Sequence, residues 1–224
     1  GWERVHFVLS FDCDTPEDAD AAEQVGGAVM DLGVRPVFAV AGELLERGEK
    51  IYTRLRARGA VFLNHGHRQH TRFDAALGRY VSCRFYHTQS PAEIEADVSA
   101  GDAAFRRVFG EAPRGFRTPH FGTHQSAAAL THLHRFLGQK GYAYSSSTLP
   151  AWAFRRGLVF DDFGLPEFPL SGSGDRPLTL LDSWSWFAAP DRRETEADYV
   201  RRIEAAARRA SERGVGLLNF YVDP

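Results

Sequence analysis

Short, continuous apolar runs alternate with longer amphipathic stretches along this chain. Residues 5–11, 35–39, 60–63, 115–117, 142–145 and 215–222 read as strands, and several of them, such as Ala60-Val61-Phe62-Leu63, are apolar throughout, as strands covered on both faces are. Between them, 17–32, 44–58, 91–109, 125–140 and 194–213 read as helices. Strands alternating with helices predict an α/β fold with a mostly parallel sheet. Ser90-Pro91 with Glu93 opens the third helix, Glu194 to Glu204 mixes acids and bases at helical spacing, and Gly110, Gly141 and Gly214 mark helix-to-strand turns.

Two regions break the rhythm. The stretch 71–90, with Arg79-Tyr80 and Phe85-Tyr86-His87, is aromatic and poorly periodic and reads as a loop over a site opening. The stretch 147–193 carries Gly172-Ser173-Gly174-Asp175 and Pro166, Pro169 and Pro177, which predicts short strands and a mobile loop. No internal repeat is visible, and 224 residues suit a single domain spanning 1–224.

A formal net charge of −2 gives no global pull toward nucleic acid or anionic lipid, and the pairs Arg155-Arg156 and Arg201-Arg202 read as solvated surface charge. There is no apolar run of about 18 residues and no charged-then-apolar leader. The chain therefore reads as a cytoplasmic protein with no membrane partner, with export left open because a leader could have been trimmed. Cys13 and Cys83 are too few for a disulfide framework. Both read as reduced, with Cys13 turned into the core.

The chemistry concentrates where strands end. Asp12 and Asp14 flank Cys13 at the end of the first apolar run, so strand alternation points both carboxylates the same way. Two acids at the mouth of an apolar strand need a shared proton or a cation. Asn64-His65-Gly66-His67-Arg68-Gln69-His70 follows another strand, and one carboxylate with two imidazoles is a common set for a divalent metal with an open position. Arg117 and Asp223 fall at further strand ends, and the turn from Thr118 to Gly122 can aim backbone N–H groups at an oxyanion.

In these residues the chain resembles the polysaccharide deacetylases that share the chitooligosaccharide deacetylase homology domain, along essentially its whole length. Phe11-Asp12-Cys13-Asp14 is similar to the first motif of that family, Arg35-Pro36-Val37-Phe38 to the strand that follows it, and Asn64-His65 to its histidine motif. Arg117-Thr118-Pro119-His120-Phe121-Gly122 is similar to the family's Arg-x-Pro-Tyr-Gly motif, and Asp182-Ser183-Trp184 to its Asp/Trp motif. The resemblance implies a distorted, incomplete (β/α) barrel in which Asp14, His65 and His70 hold the metal, zinc first, with cobalt, nickel or manganese as alternatives. It further implies Asp12 as general base, Arg117 as its tether, His120 at the position whose N–H polarises an acyl carbonyl, and Asp182 with Trp184 at the acyl pocket.

The family's two histidines usually stand four apart, whereas here His65 and His70 are five apart and His67 and His70 three apart. On a regular helix five residues turn about 500° and separate the first pair, while three keep the second pair on one face. His65 with His70 is the pair that fits the motif, provided His65 lies in a loop. The family's final histidine, its general acid, has no counterpart: the last strand reads Leu217-Leu218-Asn219-Phe220-Tyr221-Val222-Asp223, placing Asn219 or Asp223 there. Asp223 can protonate an amine only with a raised pKa, and Asn219 cannot do so at all. His87 and His124 are the other candidates for that proton.

The expected activity is hydrolysis of an N-acyl sugar, small or oligomeric, with release of acetate or a similar acid; Trp184, Trp186, Tyr80, Phe85 and Tyr86 suit a sugar. A linear or cyclic non-sugar amide is a related substrate. The rival expectation is a weak or inactive sugar-binding module. The missing histidine favours it, and retention of Asp12 beside Asp14 and Arg117 opposes it.

Overall fold

A computed structural model describes residues 4–173, 177–183 and 195–224. The elements follow the predicted alternation: β1 (His6–Cys13), α1 (Asp18–Asp31), β2 (Val37–Val40), α2 (Gly42–Arg47), α3 (Glu49–Ala57), β3 (Val61–Asn64), β4 (Thr71–Asp74), β5 (Arg79–Ser82), α4 (Pro91–Phe109), β6 (Gly115–Phe116), α5 (Ala127–Gln139), β7 (Tyr144–Ser145), α6 (Pro150–Arg156), α7 (Glu196–Glu212) and β8 (Leu217–Val222). Six strands form one sheet in the order β7-β6-β3-β2-β1-β8, and every pairing in it is parallel. The sheet curls into an incomplete barrel. Its inner face encloses a cavity of about 260 Å³ whose wall draws on Val8 of β1, Val37 of β2, Leu63 of β3 and Tyr144 of β7.

Strand alternation sorts β1 between two environments. Phe11 and Cys13 face outward into the main core, where Phe11 stacks on Phe38 at 5.2 Å and Phe38 on Phe62 at 5.5 Å, in register across β1, β2 and β3. Cys13 is fully buried there, as predicted, while Ser10 and Asp12 turn inward. Since the strands of the sheet all point one way, their C-terminal ends gather at one rim, and the loops leaving β1, β3, β6 and β8 meet there.

The helix ends follow the sequence. Ser90 and Glu93 close a reciprocal capping box with Pro91 in the first turn of α4, and Gly110 ends that helix at φ +74°. Thr195 and Asp198 form the same box at the start of α7.

Three expectations change. The stretch 44–58 is two helices separated at Gly48, because there the chain runs against Tyr52 and Ala19, and a Cβ on Gly48 would meet them at 2.6 and 3.0 Å. The stretch 71–90 is not a plain loop: β4 and β5 pair antiparallel, and a 3₁₀ turn follows at Tyr86–Thr88. Strands of four residues are too short for alternation to stand out. Within 147–193, α6 occupies Pro150–Arg156; Pro150 starts that helix, a position where its missing N–H costs nothing. The expected short strands survive as single bridges, Phe160 with Glu167 and Gly172 with Leu180.

Candidate active site

At the C-terminal rim, the loop 65–70 is not helical, which removes the angular objection to pairing His65 with His70. Gly66 makes this loop possible. Its backbone sits at φ +79°, and a Cβ there would lie 2.4 Å from an Asp97 carboxylate oxygen. Asp97, buried on α4, accepts from the Arg68 main-chain N–H at 3.0 Å and from the Tyr86 hydroxyl at 2.8 Å, so a helix side chain pins the histidine loop.

The loop brings both imidazoles to Asp14. His70 Nε2 lies 2.7 Å and His65 Nε2 3.5 Å from Asp14 Oδ1, and one donor atom from each of the three residues lies within 4.8 Å of the others. Four-coordinate zinc with bonds of about 2.0–2.2 Å sets its donor atoms roughly 3.4 Å apart, so a modest spreading of this cluster fits a metal of that size. His65 Nδ1 lies 2.8 Å from the Arg117 carbonyl oxygen, so Nδ1 donates to that carbonyl and Nε2 is the ring nitrogen turned to Asp14. Among the described residues His67 does not join the cluster.

Electrostatics agree with a site for positive charge. Burial raises the Asp14 carboxyl, but His70 and His65 outweigh it and hold it well below the usual carboxylate range. Burial lowers the His65 imidazole, yet the hydrogen bond to Asp14 and the charge of Asp12 bring it above its ordinary value.

Asp12 is 3% exposed and Arg117 1% exposed. Arg117 Nη1 donates to Asp12 Oδ1 at 2.7 Å, while Asp12 Oδ2 faces His65 Nε2 at 3.9 Å. The guanidinium is fixed on its other sides by Ser10 Oγ at 2.8 Å, the Ser146 carbonyl at 3.0 Å and Ser146 Oγ at 3.0 Å. A buried arginine so fully occupied has one orientation.

His120 adopts the left-handed conformation at φ 46°, uncommon for a residue with a side chain. Its Nε2 reaches the carbonyl oxygens of His70 at 2.9 Å and Cys83 at 3.1 Å, tying the 118–122 turn to the histidine loop. Burial lowers its pKa, with His70 adding to the shift.

At the end of β8, Asp223 feels the charges of Asp14 and Asp12. Burial first, then Asp14 and Asp12, push its pKa up to about 8 against the pull of a Ser183 hydrogen bond of 2.9 Å. Asn219 lies deeper and donates to Ser146 Oγ and the Phe168 and Pro169 carbonyls. Asp182 accepts from the Tyr221 hydroxyl at 2.7 Å, beside Asp223. Trp184 and Trp186 lie outside the described residues. His87 is exposed, and His124 is buried against the Tyr86 ring at 6.0 Å.

One group that the sequence reading omits supports this arrangement from behind. Glu167, fully buried, accepts through Oε1 from the Ser147 and Thr148 main-chain N–H groups at 2.7 and 2.8 Å and from the Thr148 hydroxyl at 2.9 Å. His134 Nε2 stands 3.3 Å from its other oxygen. Glu167 thereby fixes the segment whose Ser146 holds Arg117.

The sequence profile of the polysaccharide deacetylases matches residues 3–136, more than half of the chain. The chain belongs to the polysaccharide deacetylase family. Among curated proteins no sequence relative matches. A Mycobacterium smegmatis protein assigned as a polysaccharide deacetylase superposes with a TM-score of 0.67 at 16% identity, covering 100% of this chain and 79% of its own. Puue allantoinase gives 0.64 at 11% identity over 98% of this chain and 76% of its own, and a family 4 carbohydrate esterase from Streptomyces lividans gives 0.51 at 13% over 98% and 93%. At these identities the structural likeness establishes the fold, an incomplete barrel of the deacetylase type. No helix among the described residues is long and apolar enough to cross a membrane.

Proposed function

We propose that this polysaccharide deacetylase family member is a metal-dependent hydrolase that removes an acetyl or similar acyl group from an N-acylated sugar. The observation that carries the reading is a carboxylate held at one oxygen by a buried arginine beside an Asp/His/His cluster: Asp12 beside Asp14, His65 and His70. Those three residues would hold a divalent cation, zinc fitting the donor set best, and such an ion acidifies water and draws electrons from an acyl oxygen.

The chain's own groups then divide the proton work. Asp12 Oδ1 is engaged by Arg117, which leaves Oδ2 to take the proton of the attacking water. Arg117 orients Asp12 and keeps its charge compensated in a buried site. The His120 main-chain N–H, in the turn anchored by its own imidazole, would favour the developing oxyanion. Asp223, still carrying its proton near neutrality, gives it to the departing amine nitrogen. Asp182 would line the acyl pocket. The reading takes 1–224 as one catalytic domain.

The test is acetate release from N-acetylglucosamine oligomers, measured before and after chelation and again after adding back zinc, cobalt, nickel or manganese. Release that stops with chelator and returns with metal supports the reading. No release under any of these conditions, with hydrolysis of a cyclic or linear non-sugar amide instead, would replace it with the related amide activity.

A further inference from the structure

The groups assigned to the chemistry occupy the C-terminal ends of the strands, and a second concave site lies at the other end of the sheet. Arg35 stands two residues before β2, Val61 opens β3, Arg114 immediately precedes β6 and Tyr144 opens β7. Those four strands are neighbours in the order β7-β6-β3-β2 and run the same way, so positions far apart in sequence meet along one rim. They line one cavity of about 460 Å³, together with Arg56 from the last turn of α3 and Glu111 from the loop before β6.

The charge of this cavity is one-sided. Three arginines share it with a single carboxylate, Glu111, and that acid pairs with Arg56, whose guanidinium also lies 4.7 Å over the Phe109 ring. Arg35 donates through Nε to the Gly59 carbonyl at 3.2 Å, and neither Arg35 nor Arg114 has a carboxylate partner among the described residues. The arginines around it behave differently: at α3, Arg54 and Arg58 pair with Glu23 and Asp31, and on α4, Arg106 and Arg107 pair with Asp102 and Glu46. The surface outside the cavity matches arginine with acid, and the cavity does not. Like charges gathered in a concave site focus their field on a counter-ion more strongly than the same charges spread over a convex surface.

Chemistry and size together select the occupant. Guanidinium forks match phosphate oxygens two at a time. The volume falls in the range of small-molecule sites, roughly 300–1,000 Å³, which leaves room for an organic group beside the anion. Val61 and the half-buried Tyr144 ring supply an apolar wall for that group. Burial raises the Tyr144 phenol and the charge of Arg114 draws it back, so the phenol lies within reach of that guanidinium's field.

We propose that this cleft at the N-terminal rim is a binding site for a small organic phosphate, its charged end on Arg35 and Arg114 and its organic part against Val61 and Tyr144. The site is separate from the catalytic rim, and it stands whether or not the chain deacetylates a sugar. Arg114 is exposed and touches none of the groups assigned to the chemistry, so its substitution reads binding without disturbing the core.

The experiment is calorimetry at low ionic strength on the chelator-treated protein, in which no metal at the Asp14 cluster competes for the probes: inorganic phosphate, phenyl phosphate and uridine monophosphate. The two organic phosphates should bind about fivefold more tightly than inorganic phosphate, and Arg35→Gln or Arg114→Gln should each weaken them about tenfold. Arg58→Gln, the same loss of charge outside the cleft, should leave binding unchanged. Glu111→Gln removes the one acid lining the cleft and should tighten binding about threefold, whereas Glu23→Gln should not. No binding of any probe at about 10 mM would overturn the site, as would equal weakening by Arg58→Gln and Arg114→Gln, which would assign the effect to diffuse surface charge. Inorganic phosphate binding as tightly as the organic phosphates would overturn the organic half of the ligand. Poly-glutamate binding that depends on Arg114, with no phosphate bound, would replace the proposal with an acidic polypeptide.

Discussion

The main-chain oxygen of Arg117 lies 2.8 Å from Nδ1 of His65, while the side chain of the same arginine holds Asp12 at 2.7 Å. One residue thus sets the tautomer of a proposed metal ligand with its backbone and the orientation of the proposed base with its guanidinium. Arg117 directly follows β6, which is only two residues long and is held between β3 and β7. The coupling makes the position of Arg117 depend on the sheet and not on a flexible loop.

Metal content should follow the cluster. Asp14→Ala, His65→Ala or His70→Ala should each remove most bound divalent ion by elemental analysis, because loss of one of three ligands leaves too few donors. His67→Ala should retain it. Full metal in His65→Ala together with an empty His67→Ala would exchange those two residues in the ligand set.

Asp12→Asn preserves shape and an acceptor for Arg117 but removes the charge that takes a proton. Turnover should fall about 10²-fold or more with metal still bound. Arg117→Met should lower both turnover and stability, the latter by about 3–5 kcal/mol, since it strips a buried carboxylate of its partner. Thermal unfolding with metal analysis distinguishes the cases: unchanged turnover in Asp12→Asn would eliminate it as the base, and lost metal would make it a ligand.

Much of this site is legible in the sequence because strand alternation is a strict rule. Asp12-Cys13-Asp14 at the end of an apolar run fixes two carboxylates on one side and a core cysteine on the other, and the structure places Cys13 in the core. Asp97 was also readable in principle, as the single acid on the apolar stripe of α4 among Ile94, Val98, Gly101 and Phe105. Glu167 was not. Its partners are backbone N–H groups some 20 residues away and a histidine from another helix, a relation with no local period. The hairpin and α6 escaped for a related reason: elements of four to seven residues present too few turns of any pattern, and their identity comes from tertiary pairing.

Glu167 should matter to stability in a pH-dependent way. Burial raises its carboxyl, but His134 and the hydrogen bonds from Ser145 and Ser147 outweigh that and leave it below its ordinary value. A depressed folded-state pKa contributes stability that is present above the unfolded value, near 4.5, and is lost as pH falls through the folded value. Glu167→Gln should therefore cost about 3–5 kcal/mol at neutral pH, with the gap to the parent narrowing in acid. A gap independent of pH between neutrality and about pH 3 would assign its role to packing alone.

Asp223 yields the opposite sign. Its pKa, pushed up to about 8 by burial and by Asp14 and Asp12, keeps the carboxyl protonated at neutral pH and ionised above that value. An amide needs its leaving nitrogen protonated, whereas an activated acetyl ester does not. Amide hydrolysis should therefore decline as pH rises through about 8, toward tenfold per unit, while ester cleavage shows no such limb. Asp223→Asn should abolish most amide turnover and spare the ester. Its effect on stability has its own sign. A raised folded pKa contributes stability that is full below the unfolded value of 3.8 and is lost as pH rises through about 8, so the variant should unfold at a higher temperature than the parent at pH 9. Unaltered amide turnover in Asp223→Asn would transfer the proton to another donor, with His124 and His87 the next positions to substitute.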